Sequence, residues 1–276
     1  MGSKGLASKV IGVCVLLGGL LSSQATIIYN CGGVYNSWPT TWVPITSLND
    51  PDDALTRDYL DFVGDSDNPG VYYASDSSYL YFRIRVDAGA AVTNTFSDSV
   101  FVLIDDVNTG TTNRPDYGFA WDSKSGDNTR HGLELMSNSV LGTSWDSSRM
   151  EDVDASSGLK IAPPDFANSG GDGYVQTTDG QSTTNFGTTT YIDIAASWSY
   201  LQANTTLDPG QTWRIQIATI DNANDHNLLR YDVAGNTDPS TTGLDWSDAV
   251  VIPEPSTLSL LALSLLPTIF RRRHSP

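Results

Sequence analysis

Residues 79–86 alternate strictly, with Leu80, Phe82, Ile84 and Val86 on one side and Tyr79, Tyr81, Arg83 and Arg85 on the other. A period of two predicts a strand with one face in a core and the other towards water. Residues 99–104 are apolar on both sides after Ser99 and predict a central strand. Shorter signals predict strands at 27–29, 71–73, 117–121, 132–136, 191–195 and 213–220. Between them lie stretches rich in Asp, Asn, Ser, Thr and Gly, notably 105–116, 165–190 and 235–243, which read as turns and loops. Helical signals are few. Asp50 before Pro51 has the form of an N-cap with proline at the first helical position, predicting a short helix over 51–60. Residues 198–202 predict a single helical turn. Many strands, little helix and frequent turns together predict an all-β protein, an antiparallel β-sandwich with one or two short helices. The polar stretch 158–187 could be a linker, but each flank alone is too poor in strands to close a sandwich. It is therefore read as a long loop within one domain. No internal repeat is visible.

Both ends of the chain carry a different pattern. Lys4 and Lys9 precede the apolar run 10–21, and Ser23-Gln24-Ala25 supplies small residues after it. This is the form of a secretory signal peptide over 1–25, cleaved after Ala25. At the other end, Pro253-Glu254-Pro255 leads into an apolar run of 14 residues, 257–270, interrupted by Pro267 and closed by Arg271, Arg272 and Arg273. Two prolines around the glutamate keep the backbone extended and remove two donors, a shape suited to a protease groove. The apolar run is shorter than the roughly 20 residues of a comfortable transmembrane helix. The arginines hold the terminus on the cytoplasmic side. These elements mark a temporary anchor; the plainer alternative is an ordinary C-terminal membrane tail. The tripartite order of 251–276 resembles the bacterial PEP-CTERM sorting signal. The resemblance implies cleavage by an exosortase-type protease, transient anchoring in the inner membrane, and release to the cell surface or extracellular matrix. A β-sandwich domain over 26–250 is then the exported part.

Charge narrows the partners of that part. The whole chain has a formal net charge of −17. Removing Lys4, Lys9 and the three terminal arginines together with Glu254 leaves 31 acidic and 10 basic residues, about −21. Nucleic acid is excluded as a partner by the lack of a basic patch. Anionic polymers are opposed as well, unless divalent cations bridge them. Cys14 lies in the leader, so Cys31 is the one exported cysteine and no intramolecular disulfide can form. It is either a buried thiol or a link between chains.

Two segments of the exported part resemble DOMON-like sandwiches, the group that includes the family 9 carbohydrate-binding modules. One is 71–106, with a short strand, the Asp76-Ser77-Ser78 turn, Tyr79-Leu80-Tyr81-Phe82 and a further strand ending at Asp106. The other runs from Tyr191-Ile192-Asp193-Ile194 through Trp198 and the Pro209-Gly210 turn to Trp213 and Asp221. Residues 58–65 resemble the lead-in of secreted bacterial proteins of this architecture. The resemblance covers about half of the exported chain. It implies a jelly-roll or DOMON-like sandwich and association with extracellular polysaccharide, and it carries over no sugar-binding residue.

Candidate chemistry follows from the residues themselves. Trp38, Trp42, Trp121, Trp145, Trp198 and Trp246 sit near turns or strand ends, whereas Trp213 begins an alternating strand and belongs to a core. An indole can stack on the apolar face of a pyranose, although large aromatics are more often buried. Trp121 with Asp122 and Trp145 with Asp146 are the preferred ligand-binding pairs, each acid being placed to bond sugar hydroxyls. Ca²⁺ is the expected cofactor, because aspartate dominates the acids. Asp65, Asp67, Gly70 and Asp76 follow part of an EF-type spacing, but Pro69 stands where an oxygen ligand belongs; ordinary turns explain them better. Asp105 and Asp106, with Asp221 and Asp225, close two predicted strands and are the expected metal ligands. Catalysis has no signature. His131 and His226 lack the spacing of zinc ligands, and no nucleophile motif accompanies Asp225-His226. A non-catalytic role is therefore expected, either polysaccharide binding or structural packing in a matrix. A polysaccharide hydrolase, which needs two facing carboxyls, is the third reading.

Overall fold

The structure, a computed structural model, describes residues 27–31, 35–50, 61–87, 99–107, 115–122, 133–138, 150–152, 173–179, 185–220, 232–235 and 246–254. Among them are thirteen strands: β1 Ile27–Cys31, β2 Val43–Pro44, β3 Val71–Ser75, β4 Tyr79–Val86, β5 Ser99–Asp106, β6 Tyr117–Asp122 and β7 Leu133–Asn138. The rest are β8 Met150–Asp152, β9 Gly173–Asp179, β10 Thr190–Ser197, β11 Thr212–Ile220, β12 Asp232–Val233 and β13 Val250–Val251. One helix, α1 Trp198–Asn204, follows β10. The strands form two antiparallel sheets. One has the order β1-β9-β10-β4-β3-β2, the other β12-β11-β5-β6-β7-β8, with β13 also paired to β11.

The inner faces share one core. Leu80, Phe82 and Ile84 of β4 meet Ala196, Ile194 and Ile192 of β10 in register, Val86 joins them, and across the gap lie Val100, Val102, Ile104, Phe119, Ile215 and Ile217. Phe82 and Phe119 touch from opposite sheets at 6.1 Å between centroids. The mostly antiparallel, all-β architecture is as expected. β4 begins where the alternation predicts, because a strict period of two leaves one side of a strand wholly apolar, and β5 begins where the two-sided apolar run predicts. α1 is longer than the single turn expected, and Ser197 caps it by accepting from the Tyr200 N–H at 3.2 Å. The short helix expected over 51–60 lies outside the described residues.

The polar stretch read as a loop contains β9, which sits between β1 and β10 inside the sheet. Its sequence, Gly-Tyr-Val-Gln-Thr-Thr-Asp, offers one aliphatic residue, Val175, to the core. Threonine is abundant in turns, but its branched β-carbon equally suits a pleated strand, and pairing with β10 decides between them. β2, β8, β12 and β13 are too short to leave a periodic signal.

No helix among the described residues is long and apolar enough to cross a membrane. The expected leader and the apolar run 257–270 both lie outside the described residues. At the C-terminal end, β13 and the fully buried Ile252 carry the packed fold to the edge of the Pro-Glu-Pro motif. Ile252 donates to the Gln211 carbonyl at 3.0 Å and accepts from the Gly210 N–H at 2.8 Å.

Candidate functional site

The outer face of the β4-containing sheet departs most from an ordinary solvated surface. Side chains directly opposed on neighbouring strands form three rows across it. Ala74, Tyr81, Ala195 and Tyr174 make the first row; Tyr72, Arg83, Asp193 and Gln176 make the second. Arg85, Tyr191 and Thr178 make the third. In the first row, the small alanines flanking Tyr81 leave room for the segment before β2 to lie over the sheet. Tyr35, Trp38 and Trp42 enter that space and pack with Tyr79 and Tyr174 around the fully buried Tyr81. Tyr35 stacks on Tyr174 at 4.6 Å and meets Trp38 edge-on at 5.3 Å. The surrounding rings of Tyr35, Trp38, Trp42, Tyr79 and Tyr174 are half-buried, so each keeps part of its surface towards solvent.

Hydrogen bonds fix this aromatic cluster to a turn. Tyr81 donates to Asp76 Oδ2 at 2.6 Å, and Tyr35 in turn bonds the Tyr81 hydroxyl at 2.7 Å. Burial, reinforced by the bonds to Asp76 and Tyr35, pushes the Tyr81 phenol far above its ordinary range. Burial raises Tyr35 too.

A stacked column runs beside the cluster. Arg83 lies over the Trp42 ring at 4.3 Å and over the Tyr191 ring at 4.7 Å, and Arg85 lies over Tyr191 at 4.9 Å. Such cation–π contacts are each worth about 0.5–2 kcal/mol, more when desolvated. Arg83 is also held by Asp193, with Nε on Oδ1 at 2.7 Å and Nη2 on Oδ2 at 2.8 Å, and Gln176 adds a bond to Asp193 at 2.9 Å. Burial pulls the Arg83 guanidinium down, but the Asp193 bonds outweigh it and the net shift is upward. Burial raises Tyr191, against the opposing pull of Arg85 and Arg83.

The preferred residues of the sequence reading are placed differently. Trp121 is 1% exposed on the inner face of β6, in register between Val100 and Leu133. It offers no ring face to a polymer; this corrects its expected role. The cause is parity: Phe119 faces the core, so Trp121, two residues on, must as well. The neighbouring Asp122 lies on the strand end, and its side chain, like Trp145 and Asp146, is outside the described residues. Trp213 is fully buried, as expected, and Trp198 is buried at the start of α1. Trp38 and Trp42 were among the turn tryptophans, but nothing in their local sequence pointed to the sheet face they occupy.

The metal expectation also moves. Asp105 and Asp106 are consecutive strand residues, so their side chains leave opposite faces of the sheet and cannot close on one ion. Asp221 and Asp225 lie outside the described residues. Asp65 is occupied as a turn residue: its Oδ1 accepts from the N–H groups of Asp67 at 2.9 Å and Asn68 at 2.6 Å. A side-chain bond from Asn185, opposed by desolvation and aided by these backbone bonds, holds its carboxyl below the ordinary value. Asp76 accepts from Ser78, Tyr79 and Tyr81 in the same manner. The described residues that could hold a metal are instead Asp50, Asp61 and Asp232, with one oxygen of each within 4.8 Å of the others. None is more than 1% exposed. Asp232 Oδ2 accepts from the Phe62 N–H, and Asp50 Oδ2 from the Gly235 N–H, both at 2.5 Å. Three carboxylates from distant segments are thus brought to one point by tertiary structure alone.

Of the Pro-Glu-Pro motif, Pro253 and Glu254 are exposed. Glu254 leans on the Pro209-Gly210 turn, where Gly210 has φ +86° and a Cβ would come within 2.8 Å of Glu254 Oε1. Pro255 and Arg271, Arg272 and Arg273 lie outside the described residues, as do His131 and His226. No protein-family model matches this chain, and no curated protein matches it either.

Proposed function

We propose that the protein is an exported, non-catalytic, DOMON-like sandwich that associates with extracellular polysaccharide through the outer face of its β4-containing sheet. The observation that carries this reading is the set of half-buried rings, Tyr35, Trp38, Trp42, Tyr79 and Tyr174, gathered on one sheet face beside a stacked column of arginines. Flat apolar ring faces next to hydrogen-bond donors suit a sugar, which presents C–H faces ringed by hydroxyls. The leader and the Pro-Glu-Pro tail deliver the domain to the cell surface or matrix after transient anchoring in the inner membrane, with an exosortase-type protease as processing partner. A structural Ca²⁺ belongs to the same proposal, with Asp50, Asp61 and Asp232 as ligands. An all-oxygen donor set suits that ion, and a cation offsets the cost of burying three carboxylates.

Affinity electrophoresis of the full-length chain, purified in a neutral detergent, tests the binding. Retardation by at least one extracellular polysaccharide, lost in Trp42→Ala, is the expected outcome. Free migration in every gel would leave the protein a structural matrix component. A melting temperature that falls on adding chelator is expected for the metal, and one that does not move removes it.

A further inference from the structure

Arg83 and Arg85 are successive outward residues of β4, yet among the described residues only Arg83 is paired with an acid. Arg83 is gripped on two nitrogens by Asp193. Arg85 is more deeply placed, 2% exposed, and its Nη2 donates to the Tyr191 hydroxyl. Its Nε and Nη1 are buried with no hydrogen-bond partner among the described residues. The register explains the lack. Directly opposite Arg85 on β10 stands Tyr191 rather than a carboxylate, and on the other side β3 has not yet begun, the backbone of Gly70 taking its place. Thr178, beyond Tyr191 in the same row, also has a buried hydroxyl without a partner. An ionised guanidinium kept from water without an acceptor is costly. Nε and Nη2 share the edge that matches the two oxygens of a carboxylate, as Arg83 shows on Asp193; on Arg85 the Nε of that edge is open and its Nη2 is held by the Tyr191 hydroxyl.

We infer that Arg85 is the seat for an oxyanion of the ligand, and specifically for the carboxylate of a uronic acid unit in an acidic polysaccharide. The inference rests on the polysaccharide reading above and names the class of sugar. Arg83, Trp42 and Tyr191 provide the stacking surface for the ring, and Arg85 reads the acid at its end. Rotation of the half-buried Tyr191 side chain is the movement that admits the carboxylate, of the kind that commonly accompanies recognition. The acidic balance of the whole chain does not forbid this. At physiological ionic strength exposed acids more than about 8 Å away are screened, so the surface charge of the chain reaches the site only weakly.

The test compares wild type with Arg85→Met, as full-length chain in neutral detergent, against polygalacturonate, a neutral glucan and inorganic sulfate. The expected result is that wild type prefers polygalacturonate and that Arg85→Met weakens this binding at least tenfold, a larger loss than for the neutral glucan. Equal polygalacturonate affinity in the two proteins overturns the inference while the polysaccharide reading stands. If wild type binds neither polymer, that reading fails. The Arg85 Nε–H NMR correlation, followed in wild type on adding sulfate, then decides the seat alone: a saturable shift keeps it as a site for a free oxyanion, and no shift removes it. The same NMR titration with galacturonate serves if Arg85→Met does not fold, a shift supporting the inference and a static signal overturning it.

Discussion

The two faces of the six-stranded sheet come from the same strands with the same period of two, yet different physics holds them. On the inner face, Leu80, Phe82, Ile84, Ile192, Ile194 and Val175 are almost wholly buried and purely apolar. Hydrophobic burial at roughly 25 cal/mol per Å² stabilises that side, and little there depends on direction. On the outer face, Tyr81, Arg83, Asp193 and Gln176 are bound by directional contacts: a ring cluster, a bidentate ion pair and stacked cations. The inner face makes the fold. The outer face is ordered beyond what folding alone requires, which is the reason for placing function there.

The largest effect that sharpens this comparison is on the inner face. Phe82→Ala removes a ring in contact with Phe119 and should cost about 3–5 kcal/mol, read as a lowered denaturant midpoint. Next is the centre of the outer face. Asp193→Ala leaves both Arg83 and Gln176 without their acceptor and should cost roughly 2 kcal/mol, the value being moderated because the Arg83 side chain is 22% exposed. The pair Asp193→Leu with Arg83→Met should recover most of that loss, because it removes both charges together. If it does not, the outer face owes its order to the aromatic cluster rather than to the ion pair.

A pH dependence of the same sign is expected on both faces. Tyr35, Tyr81 and Tyr191 on the outer face have phenols raised from 10.0 mainly by burial. A raised folded value means that the folded state holds the proton more tightly. This stability is complete below pH 10 and falls as pH rises above it. Titration of phenolate absorbance should show these groups ionising late and together with unfolding. Tyr73 on the inner face, raised by burial alone, should ionise only with global unfolding. The smallest change in stability is expected for Trp42→Ala, about 1 kcal/mol or less from the lost stack on Arg83. That substitution should nevertheless abolish polymer retardation. A variant that melts as wild type does and still binds would break the link between this face and function.

Residue by residue, legibility followed how local the cause was. The alternation of 79–86 states which side of β4 faces the core, and the outward set Tyr79, Tyr81, Arg83 and Arg85 was therefore readable in the sequence. So was the burial of Trp213, which shares its side with Ile215 and Ile217. Trp121 was misread because its position near a strand end suggested exposure, whereas the parity of β6 directs it inwards. β9 was missed because its threonines look the same in a turn and in a strand until a partner strand is present.

By itself, then, the sequence determined an acidic chain, an all-β fold, and the two-sided character of its strands. Those properties depend on composition and on contacts within a few residues. Tertiary structure decided which strands are neighbours, and with that which distant side chains meet. Only the register of β4 on β10 sets Arg83 against Asp193 and leaves Arg85 facing Tyr191. Only the packing of residues 35–42 across the sheet gathers the half-buried rings, and only the fold brings Asp50, Asp61 and Asp232 together. Each is a pairing across tens to hundreds of residues. A side chain carries no mark of such a partner until the backbone hydrogen bonds of the sheet have fixed where it stands.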